Sequence, residues 1–120
     1  MIQFRDKEYR CASEVAMQLV SGKWKILILS LLNDQTFRFG ELQKLMPGAT
    51  HKMLTEQLRD LERDGLVVRS VYPVVPLKVE YDLTDRGKRL VPILKQLCEF
   101  GADYIDSFPA DASATEDQRA

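Results

Sequence analysis

The chain has 120 residues, enough for one domain with a real though thin core. Hydrophobic residues make up 45% and charged residues 29%, the balance of an ordinary folded domain, and no run reaches the roughly 18 apolar residues of a membrane span. The formal net charge of −1 argues mildly against nucleic acid, while the polar, mixed-charge opening MIQFRDKEYR is unlike a signal peptide, so cytoplasmic residence without membrane contact is the expectation.

Residues 1–10 read as an N-terminal arm. Ser13 is placed to cap a short helix through about Val20, with Val15, Ala16, Leu19 and Val20 as its apolar face, and Ser21-Gly22 breaks it. The most hydrophobic segment follows, a helix holding Trp24, Ile26, Leu27, Ile28, Leu29, Leu31 and Leu32 and ended by Asn33-Asp34-Gln35. Phe37 and Phe39 bracket Arg38 in an extended piece suited to a third strand, and FGELQKL (39–45) forms a short helix. Pro47-Gly48 with Ala49 makes a turn into the next helix.

That next helix is the most informative element. Leu54, Leu58, Leu61 and Gly65 fall at i, i+4, i+7 and i+11 in one narrow stripe. Lys52, Glu56, Arg59 and Arg63 project from the other side, with Thr55 on the flank. Thr50 is a suitable N-cap, and Gly65 suits the left-handed residue that stops such a helix. Val67–Val74 and Leu77–Leu83 are alternating and β-branched, with Pro73 and Pro76 stiffening the bend between them. Thr84 caps a long helix over about 85–108, in which Pro92 is expected to cause a kink or a split. The tail from Pro109 is small, polar and acidic, a composition for disorder.

A helix fit for the major groove followed at once by a β-ribbon is the layout of a winged helix-turn-helix, mainly α with a small β-wing. Charge segregation answers the objection from net charge. Between Thr36 and Lys78 seven Lys/Arg face five acids, whereas from Val79 onward five face nine.

Taken in order, Cys11, GKWK (22–25), RFGEL (38–42), Pro47-Gly48, KMLT (52–55), LRDLE (58–62), the ribbon from Tyr72-Pro73 through PLKVEY (76–81), and Leu83-Thr84 with Gly87 resemble the HxlR family. These are bacterial winged-helix regulators related in fold to the MarR group. The similarity covers roughly residues 11–105. It implies a winged-helix domain over 11–108, with a reader helix near 50–64, a wing near 67–83 and a dimerisation helix near 85–108. It also implies a homodimer on double-stranded DNA at a pseudo-palindromic operator, often responsive to an electrophile or oxidant.

The resemblance points Thr50, Lys52, Thr55, Glu56 and Arg59 at the groove, with His51 as a DNA-proximal polar residue. Arg59 suits guanine or phosphate, Glu56 suits cytosine N4, and Thr50 with the first-turn N–H groups suits a phosphate. Lys25 and Arg38 are candidate phosphate clamps, and Lys78 is the cation at the base of a wing with a minor role. Two-fold pairing would use Val15 and Leu19 of the first helix with Leu90, Leu94, Leu97, Phe100, Gly101 and Tyr104 of the last. It would set two readers roughly 34–36 Å apart.

Cys11 lies just before a helix and beside Arg10, both favouring thiolate, and the resemblance marks it as a candidate redox sensor. Cys98 reads as a buried small hydrophobe. The lone histidine has no second ligand at metal spacing, so neither metal nor cofactor is expected. An enzyme is not expected: CxxC, a His placed for Cys, and a Gly-rich phosphate loop are all missing. Two alternatives stay open, a winged-helix regulator controlled by a small ligand and a winged-helix module for protein contacts alone.

Overall fold

The computed structural model describes residues 1–108, and the tail expected to be disordered, 109–120, lies outside the described residues. The arm over residues 1–10 is ordered as strands. β1 (Ile2–Phe4) and β2 (Lys7–Tyr9) form an antiparallel hairpin with Ile2 opposite Tyr9 and Phe4 opposite Lys7. Arg5 and Asp6 turn it with φ of 49° and 63°, the left-handed pair that a tight two-residue hairpin loop requires.

α1 (Ala12–Val20) starts earlier than the sequence suggested. Cys11, extended at φ −153°, is its N-cap, and Ser13 lies inside the first turn. α2 (Lys25–Asp34) is the central helix, with Ile28, Leu29 and Leu32 buried. β3 (Phe37–Arg38) is the expected third strand, and α3 (Phe39–Leu45) follows directly. α4 (His51–Arg63) begins at Thr50, whose hydroxyl accepts the Met53 N–H at 3.1 Å, a cap worth about 1 kcal/mol. It ends at Gly65, whose φ of +75° carries the chain off the helix.

β4 (Val67–Tyr72) and β5 (Lys78–Leu83) make the wing, and β3 joins β5 to complete a sheet of order β3-β5-β4. Phe37, Tyr81 and Arg69 therefore lie in one row across it. α5 (Asp85–Asp106) is capped by Thr84, which accepts the Gly87 N–H at 3.1 Å. Pro92 does not split it. Pro92 is exposed while Val91 and Leu94 are buried, so the core grips the helix on both sides of the missing N–H.

The core gathers α2, α3, α4, the sheet and the first half of α5 around Ile28, Leu29, Leu42, Leu54, Leu58 and Leu61. Thr84 joins the last helix to the end of α4 twice: its hydroxyl donates to Gly65 O at 2.6 Å and its N–H to Leu66 O at 3.1 Å. Among the described residues no single helix is long and apolar enough to cross a membrane.

Candidate nucleic-acid interface

α4 presents two opposed faces. Leu54, Leu58 and Leu61 are at most 2% exposed, each burial stabilising by about 1.5–3 kcal/mol. His51, Lys52, Glu56 and Arg59 on the other face are exposed, and Thr55 is half-buried. Among the described residues Lys52, Arg59 and Arg38 have no acidic partner within 4.0 Å. Their charge is free for an external anion.

Local contacts fix the start of this helix. The His51 ring packs against Phe39 of α3, 4.6 Å between centroids, locking the two helices of the helix-turn-helix together. The Thr50 hydroxyl accepts within the cap, which leaves its proton to donate outward. The Thr55 hydroxyl donates to His51 O at 2.8 Å, so only its acceptor side faces a ligand. Arg38 is held at the start of α3 because its N–H donates to Glu41 Oε1 at 2.8 Å.

Two expected cations are otherwise engaged. Lys25 is no phosphate clamp: it is 6% exposed, and its Nζ lies 3.3 Å from Asp60 Oδ2 on α4. Its position in the first turn of α2 lays its stem against the domain, so the ammonium braces two helices. Lys78 sits 3.5 Å from Glu80 Oε2 and 4.9 Å above the Tyr72 ring, which leaves less charge at the base of the wing. Arg63 likewise faces Asp60 and Asp64, at 3.4 and 3.5 Å.

Arg69 was missed. It is exposed on β4 and, with Arg59, lines a groove of about 470 Å³ between α4 and the sheet, floored by Phe39, Leu58, Val79 and Tyr81. Strand register places it there beside Tyr81, and spacing alone does not give register.

The apolar surface of α5 divides. Leu94, 4% exposed, belongs to the protomer's own core and is not free for a second chain, while Leu90 packs on that core and stays half-buried. Val15 and Leu19 are half-buried, and so is Gly101. Leu97, Phe100 and Tyr104 are exposed as expected, joined by Ile93, Ile105, Phe108 and, on α1, Met17.

Both cysteines are exposed, which corrects the expectation that Cys98 is buried. Cys11 Sγ is 2.7 Å from Ser13 Oγ. The Ser13 hydroxyl, followed by the Ser13 and Glu14 N–H groups, holds the Cys11 thiol below the ordinary thiol range, against the opposing charge of Glu14. Among the described residues no three His, Cys, Asp or Glu side chains cluster as a metal site.

The family of HxlR-like helix-turn-helix proteins matches residues 19–108. An HTH-type transcriptional regulator of Methanothermobacter thermautotrophicus is 50% identical over 99 residues, covering 82% of this chain and 76% of that protein. The redox regulator HypR, solved in its reduced form, is 42% identical with a TM-score of 0.76, covering 82% of this chain and 100% of that one. Diamide-treated YodB from B. subtilis is 33% identical with a TM-score of 0.70, covering 81% and 97%. The chain thus belongs to the HxlR-like helix-turn-helix family and is a transcriptional regulator with a MarR-like winged-helix fold.

Proposed function

We propose that the protein binds a pseudo-palindromic DNA operator as a homodimer, with α4 in the major groove. The observation that carries this reading is the outer face of α4. Lys52 and Arg59 stand unpaired beside Thr50, His51 and Glu56, while the opposite stripe packs the helix on the core. Lys52 and Arg38 meet phosphates, Arg59 and Glu56 meet base edges, and Arg69 adds a backbone contact from the wing. The exposed row from Ile93 to Tyr104 pairs with its two-fold mate and sets the distance between readers. A gel shift with the DNA upstream of the gene, at two salt concentrations, tests this. Affinity should fall steeply with salt and prefer that sequence over unrelated DNA; salt-independent or sequence-blind binding refutes it.

A second reading concerns the signal. The exposed Cys11 thiol, hydrogen-bonded at the start of α1, is a nucleophile for an electrophile or oxidant. A hydroperoxide transfers one oxygen to the thiolate, giving sulfenic acid and releasing alcohol or water. Diamide accepts two electrons as a cross-subunit disulfide forms, and a quinone adds to sulfur directly. Each changes the junction between α1 and its partner and re-angles the readers. The HypR and YodB likenesses support this reading. A Cys11→Ser protein should keep operator binding in the presence of diamide; loss equal to that of the parent removes the hypothesis.

A further inference from the structure

None of these roles uses the N-terminal hairpin. At its base it packs on α1, where buried Tyr9 donates its hydroxyl proton to Gln18 Oε1 at 2.9 Å. At its tip it reaches the end of α4: Arg5 Nη1 donates to Asp64 Oδ1 at 2.6 Å, between residues 59 apart in sequence. The Asp64 side chain is only 5% exposed, on the C-cap residue of α4, whose backbone N–H donates to Asp60 O and Glu62 O. A carboxylate there faces the negative end of the helix dipole and needs a cation to hold it. Arg5 supplies a hydrogen bond at 2.6 Å and Arg63 Nε an ion pair at 3.5 Å. The Arg5 guanidinium lies 4.9 Å from the Phe4 ring, fixing it from the other side. Between base and tip, a cleft of about 450 Å³ lined by Phe4, Tyr9, Val15, Leu19 and Lys25 separates hairpin from body.

We propose that Arg5 is a positioning residue: through Asp64 it makes the hairpin a strut between α1 and the C-terminal end of α4, setting the angle at which α4 is presented. This rests on α4 being the DNA-reading helix. Arg5→Ala, Asp64→Asn and the double variant of the full chain should be compared with the parent. The readouts are fluorescence anisotropy on upstream DNA over a salt series and amide exchange of residues 60–66. Arg5→Ala should weaken binding about fivefold or more and leave the slope of log affinity against log salt unchanged. The double variant should bind no more weakly than Asp64→Asn alone, and Arg5→Ala should speed exchange at the end of α4. Parent-like affinity in Arg5→Ala overturns the proposal. So does a fall of about one in the salt slope, since Arg5 would then be a phosphate contact, and so do additive effects of the two variants. Parent protein that binds no DNA would instead sink the reading of α4. Exchange would then decide the strut alone, unchanged protection in Arg5→Ala refuting it.

Discussion

Lys52, Arg59 and Lys25 share a charge but not a task. Lys52→Ala should lower affinity for all sequences alike and reduce the salt slope by about one. Arg59→Ala should cost about 1–3 kcal/mol and relax preference at one base position, as a binding matrix would reveal. Lys25→Ala should do neither. It leaves Asp60 short of a partner, so urea melts should show a loss of about 1–3 kcal/mol with the salt slope intact. Lys25 was legible as a cation but not as a brace, because only the packing of α2 on α4 brings Asp60 to it. At Cys11 the thiol pKa is lowered chiefly by the Ser13 hydroxyl, so thiolate accumulates at lower pH than for an ordinary thiol. In a Cys98→Ser background, the pH profile of iodoacetamide alkylation should move upward on Ser13→Ala. No movement would show that the hydroxyl does not stabilise the thiolate.

Elements with a strong period and clear punctuation were readable from the chain itself. α4 was, because Thr50, the leucine stripe and Gly65 each mark a different part of it, and the wing was, because its prolines fall at the bend. The hairpin was not. Its strands are three residues each, too short for a period, and its order comes from Tyr9 meeting Gln18 and Arg5 meeting Asp64 in space. Pro92 leaves α5 unsplit because the core holds the helix on both sides of it. Two substitutions check the element packing by calorimetry or chemical melts. Leu58→Ala should destabilise by about 2–5 kcal/mol, since the side chain is 2% exposed. Gly87→Ala should cost about 1–3 kcal/mol, because its new methyl would collide with the Leu66 backbone carbonyl, which cannot swing aside. A neutral result at Gly87 would mean that α5 can slide along the sheet.

For the molecule as a whole, the stripe on α5 announced more apolar surface than one protomer covers. The sequence could not say where the covered part ends. Leu94 turns inward, and the exposed row runs on through Leu97, Phe100 and Tyr104, with Phe100 67% exposed. Phe100→Glu should therefore give a monomer in sedimentation velocity with a parent-like circular dichroism spectrum and with operator affinity strongly reduced. A dimer that persists would move the pairing surface elsewhere. The Thr84 hydrogen bonds to Gly65 and Leu66 would give the proposed pairing its reach. α5 has 22 residues, a rod of about 33 Å at roughly 1.5 Å each. Its root is stitched to the stop of the neighbouring helix, so a tilt of about ten degrees where two rods cross swings the far ends by about 6 Å. That sweep is nearly two rungs of the double helix, enough to throw one half-site out of step while leaving each protomer's interior untouched.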